Sequence, residues 1–247
     1  MFDAIAPRYD LLNHLLSAGI DRRWRAAAIR SLRLAGTETL LDLCTGTADV
    51  ALAARLRSRR AATLGAAGRC DGAARVVGID FSGAMLALGL QKINAAGEGQ
   101  RITLVRGDAM RIPARDRSVD AVTVAFGIRN VQRPEVTCVE MARVLRPGGR
   151  LAILEFGVPR IAGISSLYLW YFRHVLPMVG RLISGHHAAY SYLPASVGTF
   201  APPSEFAETL RRAGFSSIRA DPLTFGIVYM YTAVRGGQSD RRSYEQP

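Results

Sequence analysis

The sequence predicts an α/β fold with a mostly parallel sheet of seven strands and an antiparallel hairpin at its C-terminal edge. Three observations predict it. Strand-like and helical runs alternate, the first strand leads into a turn of small residues, and two strand-like runs follow the last helix closely. Such alternation implies right-handed crossovers and a sheet covered on both faces. With 247 residues and 49% hydrophobic content, the chain can bury one substantial core.

Each element follows from a local pattern. The first helical run, DRRWRAAAIRSL, repeats apolar residues at helical spacing. A later helix has a cap at Ser82 and ends at Gly97, and another ends at the breaker 146–149. The strand-like runs are TLLDLC, RVVGID, ITLVRGD, VDAVTVAFG, GRLAILEFG and, after the helical run PSEFAETLRRAGF, SSIRADPL and FGIVYMYTAVR.

Three segments lie outside this pattern. Residues 55–77 are rich in Ala, Gly and Arg with little apolar periodicity, which predicts mostly a surface loop. Residues 164–185 are apolar and aromatic but interrupted by charges, so they are too polar to span a membrane. An interfacial helix or lid and a buried insertion helix are both open there. Residues 236–247 have the composition of a disordered tail.

We therefore expect one domain over residues 1–235, with an N-terminal helical cap over about 1–35 and an insertion over about 160–200. The formal net charge of +12 favours a polyanionic neighbour, either nucleic acid or an anionic membrane. Three separated cysteines without CxxC spacing predict neither a disulfide framework nor a metal site, which fits a reducing cytoplasm. The first residues lack the basic start and apolar run of a secretion signal.

The turn after the first strand indicates a ligand site. Of the GxGxxG pattern it has only Gly46, which argues against a dinucleotide. One acid lies on or just beyond each of three successive strands, at the edge where open α/β sheets bind ligands: Asp42, Asp80 and Asp108. A single strand-end Asp is more often a helix cap, but three in register favour a site. Asp80 is placed to accept both hydroxyls of an adenosine ribose, and Asp108 and the Ala109 backbone to bind adenine. A ribose without pyrophosphate favours S-adenosyl-L-methionine.

Longer motifs carry a family resemblance. The stretches MFDAIAPRYDLLNHLLSAGIDRRWR, LLDLCTGTADVAL, GIDFSGAML, AFGIRNV, RVLRPGGRLAILEFGVP and YSYLPASVGTF resemble the quinone-biosynthesis C-methyltransferases, the demethylmenaquinone and 2-polyprenyl-6-methoxybenzoquinol methylases. The resemblance runs from residue 1 to about 235. It implies a class I, Rossmann-like methyltransferase fold. It also implies that S-adenosyl-L-methionine binds at Thr47, Asp80, Asp108 and Ala109, with S-adenosyl-L-homocysteine as product.

The implied reaction moves a methyl group from a sulfonium to a ring carbon of a prenylated hydroquinol. The FGIRNV motif follows the fourth strand, so we expect Arg129 to stabilise the developing phenolate, with Asn130 as a hydrogen-bond partner. A guanidinium stays protonated, which leaves proton removal to water, a histidine or Asp10 of the opening block. The catalytic candidates are therefore Arg129, Asn130 and Asp10.

The prenyl tail of such a substrate would stay in the bilayer, so a membrane surface is an expected partner and nucleic acid is not. The expected location is cytoplasmic, peripheral on the inner face of the membrane, with a homo-oligomer or a quinone-biosynthesis complex left open. Two alternatives remain: methylation of another small molecule or of nucleic acid, and a non-catalytic peripheral membrane protein that binds S-adenosyl-L-methionine. Naphthoquinol and benzoquinol substrates are not separated.

The turn has Ala48 where many family members have glycine, which requires a negative φ there.

Overall fold

The computed structural model describes Ser17 and residues 19–63, 74–159 and 196–237. The expectations for Asp10, for a lid or interfacial helix within residues 160–195 and for the tail beyond residue 237 lie outside these residues. The elements are α1 Asp21–Ser31, β1 Thr39–Leu43, α2 Asp49–Thr63, β2 Arg75–Asp80, α3 Gly83–Ala95, β3 Ile102–Arg106, β4 Val119–Ala125, a 3₁₀ helix Ile128–Asn130, α4 Pro134–Val144, β5 Leu145–Phe156, α5 Pro203–Arg212, β6 Phe215–Leu223, a 3₁₀ helix Thr224–Gly226 and β7 Val228–Arg235.

One sheet of seven strands organises the described residues, in the order β3-β2-β1-β4-β5-β7-β6. The strands from β3 to β5 pair in parallel, whereas β7 is antiparallel to both β5 and β6. The predicted mostly parallel sheet with an antiparallel C-terminal edge is confirmed. The chain reverses the direction of strand order after β3, because β4 returns to pair with β1. Open α/β sheets bind ligands at such a switch point.

Apolar layers cover both faces of the sheet, as its parallel centre requires. Leu41 and Leu43 of β1 face a layer that includes Met141 of α4 and Phe206 of α5. Leu40, which directly precedes Leu41 in the strand, faces the opposite layer, which includes Trp24 of α1. Successive residues of a strand point to opposite faces, so a strand buried on both sides reads as a continuous apolar run.

The predicted ends of two helices are confirmed. The Ser82 side chain caps α3 by accepting a hydrogen bond from the Met85 backbone at 3.2 Å, and Gly97 follows the helix with φ of 68°. Helix α4 ends at Val144, and only Leu145 separates it from the residues that the sequence marks as a breaker. Among the described helices, none combines the length and the apolar character that crossing a membrane requires.

The prediction that residues 55–77 form mostly a surface loop is wrong at the N-terminal end of that segment, because helix α2 continues to Thr63. At the other end, β2 begins at Arg75, as the strand-like run RVVGID predicts, and residues 64–73 lie outside the described residues. Ala and Arg are strong helix formers, so the composition that lowered the apolar periodicity favours a helix. Arg55 is buried, and its Nη2 lies 2.8 Å from Oε2 of Glu98, which is buried as well. The tertiary contact of this part of the helix is therefore an ion pair, which a search for periodic apolar residues does not detect.

Candidate active site

A cleft of about 500 Å³ opens at the carboxyl ends of the central strands. Its walls come from the segments that follow β1, β2, β3 and β4. Five of the predicted site residues line it: Gly46, Asp80, Asp108, Ala109 and Asn130. Three others, Asp42, Thr47 and Arg129, are not part of its lining, and Asp10 lies outside the described residues.

The turn between β1 and α2 forms one wall of the cleft. Its backbone enters the left-handed region at alternate residues, with φ of 56° at Cys44, 56° at Gly46 and 65° at Ala48. No atom lies within 4 Å of the point where a Cβ on Gly46 would stand, so the backbone there is open to a ligand. The expectation that Ala48 has a negative φ is wrong. Hydrogen bonds hold its left-handed conformation, because its N–H donates to Thr45 O and its carbonyl accepts from Leu52 N.

Asp80, the last residue of β2, joins two turns at the cleft. Its Oδ2 accepts a hydrogen bond from the Gly46 backbone at 2.8 Å, and its Oδ1 accepts one from the Ser82 backbone at 2.9 Å. The same carboxylate therefore orients the open turn after β1 and the start of α3. Backbone donors of this kind fix a carboxylate in place, which suits it to receive hydroxyl groups from a ligand.

The segment after β3 forms the opposite wall. Asp108 lies two residues beyond the strand, and its Oδ1 accepts a hydrogen bond from the Met110 backbone at 2.8 Å. That bond closes a short turn, which brings the backbone of Ala109 to the cleft. Gly107 completes the wall, where an added Cβ would stand 3.0 Å from the ring of Pro113.

Asp42 lies behind the turn. Its side chain is buried, and its Oδ2 accepts a hydrogen bond from Oγ1 of Thr45 at 2.5 Å. Burial, with a smaller contribution from the nearby Asp80 carboxylate, raises the pKa of Asp42 to about 7, although Thr45 and Arg25 oppose the shift. In this position Asp42 supports the turn from its buried side, through the hydrogen bond with Thr45.

Thr47 is also turned away from the cleft. The residue is 3% exposed, and its Oγ1 accepts a hydrogen bond from Nζ of Lys92 at 2.9 Å. Lys92 belongs to α3, so this contact joins the turn after β1 to the helix after β2. Sequence patterns gave no sign of the lysine, because it lies 45 residues further along the chain.

The FGIRNV motif forms the wall after β4. Asn130 lines the cleft, and its Nδ2 donates to Phe126 O at 3.4 Å. Arg129 turns the other way, and its Nη1 donates to Oε1 of Glu155 at 2.5 Å and to Phe126 O at 2.8 Å. Its Nε donates to Oγ of Ser196 at 3.4 Å. Sequence reasoning missed Glu155. The one signal that could have found it is that it is the single acid in the apolar run LAILEF.

The rest of the lining is mainly apolar, and sequence reasoning missed it. Phe81, directly after Asp80, is 72% exposed at the cleft, and Met85 and Phe126 also line it. Burial raises the pKa of the Cys44 thiol, and neighbouring carboxylates raise it further, so this lining residue stays protonated. Within the residues that the structure describes, no cluster of three His, Cys, Asp or Glu side chains could hold a metal ion.

Comparison with known proteins agrees with this geometry. Residues 1–235 match the ubiE/COQ5 methyltransferase family. This chain belongs to that family. The resemblance seen in the sequence is therefore confirmed, and the protein is a methyltransferase.

Two curated relatives illustrate the match. The ubiquinone/menaquinone biosynthesis C-methyltransferase UbiE of Syntrophotalea carbinolica is 47% identical over 97% of this chain and 94% of its own length. The demethylmenaquinone methyltransferase of Thermus thermophilus is 42% identical over 95% of this chain and 100% of its own length. Both alignments cover nearly the whole of each protein.

Solved structures confirm the class I, Rossmann-like methyltransferase fold. The methyltransferase complexed with the Trm112 activator of Haloferax volcanii has a TM-score of 0.66 at 18% identity, covering 96% of both chains. A SAM-dependent methyltransferase from Aquifex aeolicus has a TM-score of 0.58 at 17% identity, covering 85% of this chain and 89% of its own. At such low identity the likeness concerns the fold alone.

Proposed function

We propose that this ubiE/COQ5 family member transfers the methyl group of S-adenosyl-L-methionine to a ring carbon of a prenylated hydroquinol. Demethylmenaquinol and the benzoquinol precursor of ubiquinone are the two candidate acceptors. The observation that carries the proposal is the cleft in which Asp80, at the end of β2, holds the open turn at Gly46. Curated relatives named for this chemistry, aligned over nearly the full chain, support the choice of substrate.

The residues at the cleft fit an adenosine group. We infer that the Asp80 carboxylate accepts hydrogen bonds from the ribose hydroxyls, because backbone donors already hold it in place. Asp108 and the Ala109 backbone would bind the adenine edge, and the open backbone at Gly46 admits the amino acid portion. Bound S-adenosyl-L-methionine would supply an electrophilic methyl group on a positively charged sulfur.

The wall after β4 would receive the quinol ring. Asn130 lines the cleft, so we propose that its amide hydrogen-bonds a ring hydroxyl and fixes the ring carbon in line with the methyl group. The charge of Arg129 is neutralised by Glu155, so its larger contribution would come from holding Phe126 and the turn that carries Asn130. The largely apolar lining would exclude water from a reaction that disperses charge. Asp10 stays a proposed proton acceptor.

We also propose that the protein works at the surface of an anionic membrane. A prenylated substrate resides in the bilayer, and the net charge of +12 favours attraction to anionic lipid. About 1 kcal/mol of binding free energy is expected for each Arg or Lys close to such a surface.

A methyl-transfer assay tests the proposal. Labelled S-adenosyl-L-methionine is supplied with either reduced quinol in anionic vesicles, and wild type is compared with Asp80→Asn, Asn130→Ala and the exposed control Asp116→Asn. We expect transfer to at least one quinol, with the wild-type rate in the control. Asp80→Asn should weaken S-adenosyl-L-homocysteine binding by about tenfold or more, because a charge-assisted hydrogen bond is lost. Asn130→Ala should bind it normally and transfer slowly.

The outcomes separate the parts of the proposal. Transfer to only one quinol names the substrate. Binding of S-adenosyl-L-homocysteine without transfer to either quinol would overturn the substrate and leave methylation of another acceptor. A wild-type protein that binds no S-adenosyl-L-homocysteine would overturn the cofactor assignment as well.

A further inference from the structure

The chain contains a single lysine, Lys92, among 32 basic residues of which the rest are arginine. It lies on α3, and its side chain is 33% exposed. All the remaining basic positions are arginine, and the one lysine lies where α3 meets the turn of the cleft. The two side chains differ physically, because an ammonium is a compact point of charge and a guanidinium is a planar fork.

The Lys92 ammonium joins two residues of the turn. Its Nζ donates to Oγ1 of Thr47 at 2.9 Å and to Oδ1 of Asp49 at 2.6 Å. These two residues flank Ala48, whose left-handed backbone has φ of 65°. Oδ2 of Asp49 accepts from Nη1 of Arg25 at 2.8 Å, which connects α1 to the same network.

Helix α3 packs closely against this turn. At Gly89, which lies one helical turn before Lys92, an added Cβ would stand 3.2 Å from the Thr47 carbonyl carbon and 3.3 Å from Cβ of Ala48. The space between helix and turn is therefore short. One tetrahedral nitrogen can reach both acceptors there, whereas a longer planar group must displace the turn to do so.

We propose that Lys92 is a positioning residue for the cofactor. Its ammonium holds the left-handed turn at residues 46–49. That turn places the open backbone of Gly46 beside Asp80. A residue that acts this way governs cofactor affinity and leaves the methyl-transfer step itself nearly unchanged. The inference rests on the proposed function, because it assumes that S-adenosyl-L-methionine binds in this cleft.

Calorimetric titration with S-adenosyl-L-homocysteine tests the inference. Wild type is compared with Lys92→Arg, Lys92→Met and the control Arg59→Lys, which changes an Arg whose side chain is 60% exposed and pairs with Glu98. We expect both Lys92 variants to bind about tenfold or more weakly and the control to bind normally. The transfer rate at saturating cofactor should stay within about threefold of wild type, so that the loss appears in KM.

A second measurement needs no variant. Wild type labelled at the lysine ε-carbon gives one lysine side-chain resonance, because the chain has one lysine. We expect S-adenosyl-L-homocysteine to shift this resonance with a midpoint equal to the calorimetric Kd. A purely stabilising ion pair would leave the resonance unmoved.

Two results would overturn the inference alone: wild-type affinity in Lys92→Arg, or a lysine resonance that does not respond at saturating ligand. Wild type that fails to bind S-adenosyl-L-homocysteine would overturn the proposed function, and the inference would fall with it. The failure of one is therefore distinguishable from the failure of both.

Discussion

Arg129 and Glu155 form an ion pair directly behind the cleft wall, with Nη1 2.5 Å from Oε1 and side chains that are 7% and 0% exposed. Glu155 also accepts hydrogen bonds from the backbones of Arg129 and Phe156. The guanidinium reaches Phe126 O, so the end of β5 is bound to the turn after β4 that lines the cleft. A buried pair of this kind is costly to break from one side only, since the remaining charge loses its partner.

We expect Glu155→Gln to lower the free energy of unfolding by about 3–5 kcal/mol, because the Arg129 guanidinium stays buried without its counter-charge. Urea unfolding followed by circular dichroism measures the change. The exposed pair of Glu208 and Arg212 provides the control, where Glu208→Gln should cost no more than about 1 kcal/mol. A Glu155→Gln protein as stable as the control variant would contradict the structural role assigned to this pair.

The buried Asp42 predicts a pH-dependent stability. Burial raises its pKa in the folded protein from the ordinary value of 3.8 to about 7, so the folded state binds a proton that the unfolded state releases. Its contribution to stability is complete below pH 3.8 and is lost as the pH rises to about 7. Relative to Asp42→Asn, wild type should lose at most about 4 kcal/mol between about pH 4 and about pH 8. Urea midpoints of both proteins at each pH measure this.

Glu140 provides a control of opposite sign. Its hydrogen bond with Arg143 lowers the pKa of Glu140, although partial burial opposes the shift. The stability that Glu140 contributes is present above its unfolded pKa and disappears as the pH falls through the folded value. The advantage of wild type over Glu140→Gln should therefore shrink in acid. Parallel pH trends for the two variants would contradict one of the two assignments, and the sign of the shared trend would show which.

The contact between Gly127 and Cys44 predicts a rescue. A Cβ added at Gly127 would stand 2.3 Å from Cβ of Cys44, so Gly127→Ala should lower stability by about 1–3 kcal/mol and weaken cofactor binding. Cys44→Gly removes the clashing carbon, and glycine tolerates the φ of 56° at that position. The double variant should recover stability and binding in unfolding and titration experiments. A double variant as impaired as Gly127→Ala would refute the clash as the cause.

The indole of Trp24 joins α1 to the loop between β6 and β7. Its Nε1 donates to Oγ1 of Thr224 at 2.9 Å, and the residue is 6% exposed. Thr224→Val keeps the shape but leaves this donor without its partner, so we expect a loss of about 1–3 kcal/mol in urea unfolding. Thr209→Val, which removes an exposed hydroxyl bonded to Glu205 O, should cost less than about 0.5 kcal/mol. Equal costs at the two positions would argue against the buried hydrogen bond.

The sequence by itself determined the elements of the sheet and the edge at which the site lies. Apolar runs and alternating helices depend on local spacing, and Ser82 and Gly97 mark helix ends through local backbone chemistry. The strand ends therefore located Asp80 and Asp108 at the cleft correctly. The motifs between them also carried the family resemblance.

Only the tertiary structure decided where the side chains of the turns point. Asp42 lies within β1, before the turn, and left-handed residues at 44, 46 and 48 redirect the chain around Thr47, so neither side chain lines the cleft. Arg129 faces Glu155, 26 residues away, and Thr47 receives its hydrogen bond from Lys92, 45 residues away. Such partners are chosen by packing between elements that are distant in the chain, and no local pattern of residues records that choice.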